Sequence, residues 1–68
     1  MNVFVERLRE LMEFKSLNIV QLAKNVNIPR STISCWLLKT RLPKIDEVVQ
    51  LADYFNVTTD YLLGREDI

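Results

Sequence analysis

The sequence has no histidine, one cysteine and one glycine among its 68 residues. Without histidine the commonest general acid–base group is missing. Cys35 alone closes no internal disulfide, and the two absences together leave little from which to build a zinc site. No run of about 18 apolar residues is present, so no transmembrane helix is expected. The opening Met1-Asn2-Val3-Phe4-Val5-Glu6-Arg7 lacks the basic-then-apolar layout of a secretory signal. With only Gly64, Pro29 and Pro43 as punctuation, a β-fold would be short of turn residues. Apolar residues make up 49% and charged residues 26%, which excludes a disordered tail. The length predicts one domain spanning residues 1–68, burying about 60% of its unfolded surface and leaving little for a deep catalytic cleft. The expectation is a cytoplasmic binding module that is not an enzyme, with no cofactor, metal, membrane or small-molecule substrate.

Net charge is zero, nine basic residues against nine acidic, which by itself argues against a nucleic-acid partner. The placement of the charges argues the other way. From Phe14 to Ile45 the charged residues are Lys15, Lys24, Arg30, Lys39, Arg41 and Lys44, with no acid among them. From Asp46 onward they are Asp46, Glu47, Asp53, Asp60, Glu66 and Asp67, opposed only by Arg65. A basic middle followed by an acidic third fits a face turned toward a polyanion. It equally fits a solvated surface whose signs happen to segregate.

Apolar positions recur at three and four, the helical period. Phe4, Leu8, Leu11 and Met12 predict a first helix from about Val3 to Phe14. Asn18 is suited to cap a second, carrying Ile19, Leu22, Ala23 and Val26. Asn25 or Asn27 is suited to end it, because Asn tolerates left-handed backbone. Pro29 fits near the first position of a third helix that turns Ile33, Trp36 and Leu37 inward and runs to about Leu38. Lys39 to Lys44 form a basic connection. A fourth helix from about Ile45 to Phe55 buries Val48, Leu51, Ala52 and Phe55. A fifth, short helix has Thr58 as cap and Gly64 as stop.

The second and third helices are short and separated by about four residues, the layout of a helix-turn-helix. With Ile28, Ile33 and Trp36 docked inward, Arg30, Ser31, Ser34, Cys35 and Leu38 share the opposite face, the one that would enter a major groove.

Several stretches point to a family when taken together. They are Phe4 with Glu6-Arg7-Leu8 and Leu11, Leu22-Ala23, Ile28, Arg30-Ser31-Thr32-Ile33-Ser34, Pro43, Leu51-Ala52-Asp53-Tyr54-Phe55, and Asp60-Tyr61-Leu62-Leu63-Gly64. In these, residues 4–65 resemble the DNA-binding domain of phage Cro and repressor proteins and of bacterial XRE-type regulators. The resemblance implies an all-α, five-helix, lambda-repressor-like fold whose helix-turn-helix motif spans Ile19 to Leu38. It also implies control of transcription, usually by a homodimer on a two-fold operator in double-stranded DNA. The protein would then work in the cytoplasm, on the nucleoid of a bacterium or phage-infected cell.

The departures from the family pattern matter too. Its first motif position is often Gln, which holds a phosphate; here it is Ile19, leaving only the backbone N–H groups at the start of the second helix. The turn glycine is Asn27. An Arg–Glu pair between the first and third helices is replaced at both ends, by Met12 and Leu37, a packed core contact by expectation. The Asn-Gly after the third helix is Leu38-Lys39, and without glycine that helix is expected to run longer.

The base-reading candidates are Arg30, Ser31, Ser34 and Cys35. Arg30 has the fork that grips guanine, or a phosphate instead. Ser31 and Ser34 are small donor–acceptors or plain solvated residues. Cys35 can meet a thymine methyl or act as a neutral filler. The phosphate candidates are Asn18, Ile19, Thr32, Lys39, Thr40, Arg41 and Lys44. A competing reading is a helix-turn-helix used to bind protein, of antitoxin or anti-repressor type. Its motive is the apolar character of Cys35, Leu37, Leu38 and Leu42 around the third helix.

Overall fold

Among the described residues five helices follow in the order α1 (Asn2–Phe14), α2 (Ile19–Val26), α3 (Arg30–Leu37), α4 (Ile45–Phe55) and α5 (Thr59–Leu63). The structure is a computed structural model that describes residues 2–66. Met1, Ile68 and Asp67, the last of the acidic set, lie outside the described residues. Among the described residues there is no strand, and no helix is long and apolar enough to cross a membrane. The boundaries fall within about one residue of those read from the sequence, the end of α3 at Leu37 included. Pro29 immediately precedes that helix rather than opening it.

All five helices are short, so packing rather than intrinsic propensity holds them. The apolar stripes meet in one core. Leu8, Leu22, Ile33, Leu51 and Leu62, one from each helix, are fully buried. Each contributes about 1.5–3 kcal/mol of burial. Phe4 of α1 meets Trp36 of α3 edge-on, with ring centroids 5.7 Å apart. α1 packs on α5, α2 on α3 and α4, and α4 on α5. Arg7 ties the first of these pairs, donating to the Tyr61 carbonyl at 2.8 Å with its guanidinium 4.3 Å from the centre of the Tyr61 ring.

The shortage of glycine is met at the helix ends. Ser16, Asn27, Lys39 and Asn56 all adopt positive φ, between 56° and 63°, where a non-glycine residue is strained. Gly64, at φ 80°, is needed twice over: a Cβ there would sit 2.7 Å from Val3 Cγ1. The expected lengthening of α3 does not occur. Lys39 takes the left-handed conformation itself at φ 63°, and its N–H donates to the Trp36 carbonyl while that of Thr40 reaches Cys35. These two bonds satisfy carbonyls that would otherwise be orphaned, which is what a glycine-ended helix achieves.

Candidate nucleic-acid interface

The interface begins with how α2 is fixed. Asn18 Oδ1 accepts from the Gln21 N–H at 2.8 Å, and Gln21 Oε1 accepts from the Asn18 N–H at 2.9 Å. This reciprocal cap sets the start of α2 and leaves the N–H groups of Ile19 and Val20 as its free donors. The Ile19 side chain packs partly against the core, which leaves its backbone N–H as the group open to an outside acceptor. At the other end Asn27, at φ 58° and ψ 42°, breaks the helix, and Ile28 drops into the core. Asn25 Nδ2 donates to the Tyr54 hydroxyl at 2.8 Å, which pins α2 to α4.

α3 is therefore set on a rigid two-helix corner. Ile33, Trp36 and Leu37 are buried, as expected. At 3.6 residues per turn the remaining positions Arg30, Ser34, Leu38, Ser31 and Cys35 spread over an arc of about 140° on the opposite side. Arg30 and Ser31 are exposed; Thr32, Ser34 and Cys35 are half-buried. The four base candidates thus share one face, with Arg30 and Ser31 in the first turn. Pro29 contributes no side-chain cap, and its carbonyl takes the N–H groups of Thr32 and Ile33, so those of Arg30 and Ser31 stay open at the helix start.

Just past the C-terminal end of α3 lie Lys39, Thr40 and Arg41, all exposed, with Lys44 immediately before α4. Among the described residues none of Arg30, Lys39, Arg41 and Lys44 is in an ion pair. The Lys44 N–H donates to Glu47 Oε1 at 2.7 Å, but its ammonium is free. Thr40 is more constrained than its sequence role implies. Its hydroxyl donates to the Cys35 carbonyl at 3.2 Å, so a phosphate would have to compete with that bond. Lys15, exposed like these, holds its ammonium 5.7 Å from the centre of the Tyr54 ring.

Met12 and Leu37 are both buried and line one groove, in keeping with a packed replacement for a charged pair. Leu37 therefore drops out of the exposed apolar set around α3, whereas Leu38 and Leu42 stay exposed. Arg9 carries a contact that the sequence did not flag: its Nη2 donates to the Leu37 carbonyl at 3.3 Å, bracing the end of α3 from α1. The Asn25–Tyr54 bond was equally invisible, because its partners stand 29 residues apart. The larger omission is an apolar surface elsewhere. Leu42, Ile45, Val49 and Leu63 are 62%, 85%, 43% and 36% exposed and line one shallow cavity between the start of α4 and α5.

Comparison with known proteins agrees with this geometry. Residues 5–68 match the model of the helix-turn-helix domain family. The HTH-type transcriptional regulator AnsR of Bacillus subtilis (strain 168) is 36% identical over 62 residues, covering 91% of this chain and 53% of that protein. The uncharacterized HTH-type transcriptional regulator YobD of the same strain is 32% identical over 65 residues, covering 96% of this chain and 58% of that protein. The HTH-type transcriptional activator BcrR of Enterococcus faecalis is 32% identical over 65 residues, covering 96% of this chain and 32% of that protein. The chain thus spans 32–58% of these relatives' lengths. No solved structure matches it. A capped α2, a left-handed turn at Asn27 and an outward polar face on α3 are the parts of a DNA-reading corner, and with the match over residues 5–68 they place this chain in the helix-turn-helix domain family, of XRE type.

Proposed function

We propose that this chain is a sequence-specific binder of double-stranded DNA that regulates transcription, acting as a repressor through a homodimer on a two-fold operator. The observation that carries the reading is the outward face of α3: small polar residues flanked at both ends by unpaired cations. Arg30, Ser31, Ser34 and Cys35 meet base edges in the major groove. Asn18 through its side-chain Nδ2 and Ile19 through its backbone N–H, with Thr32, Lys39, Thr40, Arg41 and Lys44, hold the phosphates on either side. Phosphate contacts supply most of the affinity and base contacts the choice of sequence. Repression needs nothing beyond occupancy of the operator. The working place is then the cytoplasm, on the nucleoid, and one domain over residues 1–68 suffices for the contact.

The dimer part of the reading draws on the apolar surface at Leu42, Ile45, Val49 and Leu63. The Cα trace spans 28 Å along its longest axis. Half-sites lie about 34 Å apart, so two copies with that axis along the duplex would meet once side chains are added. A second copy would cover the apolar surface. The same surface favours the competing reading, in which the partner is a different protein and DNA binding is weak or absent.

The double substitution Arg30→Ala with Arg41→Ala separates the two. Both residues are exposed, so the thermal midpoint should not move. On the DNA reading, affinity for a selected duplex falls at least about 100-fold, because each protomer then grips one base and one phosphate fewer. Unchanged duplex binding would remove the DNA interface assigned here. No duplex binding by the parent protein, together with capture of a partner that Ile45→Asp abolishes, would favour the protein-interaction reading.

A further inference from the structure

Leu38 is 72% exposed, although the two residues before it, Trp36 and Leu37, are buried. Its backbone has right-handed helical angles and its N–H donates to the Ser34 carbonyl at 2.9 Å, so it continues the turn of α3. Leu38 falls about 80° around the helix from Arg30, near the middle of the arc of about 140° that carries Arg30, Ser34, Ser31 and Cys35. It is the one large apolar side chain on that arc. Cys35 stands three positions back and sets a half-buried thiol beside it. Leu38 does not line the apolar cavity between the start of α4 and α5, so it stands apart from that surface.

When this arc enters a major groove, Leu38 comes against base edges. A leucine side chain can pair with none of the hydrogen-bonding groups there, so a polar edge beneath it would lose water and gain nothing. The 5-methyl of thymine is the one apolar group that the bases present in that groove. We propose that Leu38 is a specificity residue that packs on a thymine 5-methyl. Leu38 stands eight residues beyond Arg30. That is about 12 Å along the helix and spans about two to four base pairs of groove, which sets the distance of the thymine from the base met by Arg30. The half-site is then read by two chemistries: hydrogen bonds from Arg30, Ser31 and Ser34 over the first turns of α3, and apolar contact from Leu38 at its end. The proposal rests on the DNA-binding reading and deepens it by naming a base that the face selects.

Uracil in place of thymine keeps every hydrogen-bonding group of the base and removes only the methyl. Selected duplexes that carry uracil at each thymine of the half-site in turn test the contact. At one position the parent protein should bind the uracil duplex about fourfold more weakly per half-site, the worth of one buried methyl. Leu38→Ala should bind the thymine and uracil duplexes at that position with equal affinity. Its salt slope should match the parent's, because no phosphate contact is lost. Its thermal midpoint should not move, because the side chain is mostly exposed. Cys35→Ser should keep the fourfold preference at the same position. A selected half-site with no fixed thymine overturns the proposal, as does a parent protein indifferent to uracil at every position. A thymine preference that survives in Leu38→Ala assigns the methyl to another side chain and overturns it too. Duplex binding without that preference removes only the role of Leu38 and leaves the DNA-binding reading standing. If the parent binds no duplex at all, the DNA-binding reading fails and this assignment falls with it.

Discussion

The face built by α3 and the loop behind it presents Arg30, Ser31, Ser34, Lys39 and Arg41, while the face at the start of α4 and along α5 presents Ile45, Val49 and Leu63. The first leaves charges without partners; the second leaves apolar area without cover. Water tolerates both, but each is better met by a different surface. Unpaired cations gain most from a polyanion, whose bound counterions they release. Exposed apolar side chains gain most from another apolar protein surface. One small domain thus offers two docking chemistries on separate elements. Zero net charge says little about either, since Asp46 and Glu47 stand directly behind Lys44 and hide the basic face from the sum.

Breaking the join between α1 and α3 should have the largest effect. Leu37→Glu places a charge in the groove that Met12 lines, and should cost about 3–5 kcal/mol of folding stability. Adding Met12→Arg to that variant should recover most of it. Chemical denaturation of the single and double variants checks this, and equal destabilisation in both would show that the two side chains do not face each other. Next comes the apolar face. Ile45→Asp with Val49→Asp should leave the fold intact but shift sedimentation to monomer. Affinity for a two-fold site should then fall about 100-fold or more, while a single half-site is bound as before. If both duplexes weaken alike, the apolar face is not where copies meet.

The smaller effects concern the ends of the short helices. Asn27→Ala changes no charge but loses the left-handed stop of α2, and should lower stability by about 1–2 kcal/mol; Asn27→Gly should not. Lys39→Gly should act on stability and on DNA binding in opposite directions. Relief of the strained φ should raise stability by up to about 1 kcal/mol. Removal of the ammonium should flatten the salt dependence of duplex binding by about one unit of slope. A stabilised variant with an unaltered slope would remove Lys39 from the phosphate contacts.

What could be read from the sequence follows from the range of each interaction. Asn18, Asn27, Pro29, Thr58 and Gly64 act on backbone within a few residues of themselves, so their roles could be read locally and the helix ends came out nearly right. The inward stripe of Ile33, Trp36 and Leu37 followed from period alone. Lys39 is different. A long basic residue gives no local sign that it will turn left-handed, and it does so because the Cys35 and Trp36 carbonyls need donors. Arg9 on Leu37 and Asn25 on Tyr54 depend on elements brought together only by packing. The apolar face was missed because Ile45 and Val49 sit among correctly assigned core positions of α4, one step off its buried stripe.

Selection from a random duplex pool, followed by salt titration of the recovered sequence, asks most directly whether this chain reads DNA. A short two-fold motif with half-sites about one helical turn apart is expected. Log K for that motif should fall with log salt at a slope of about −4 per protomer, for roughly four phosphates each. Failure of the folded protein to enrich any motif at low salt would contradict the DNA-binding reading.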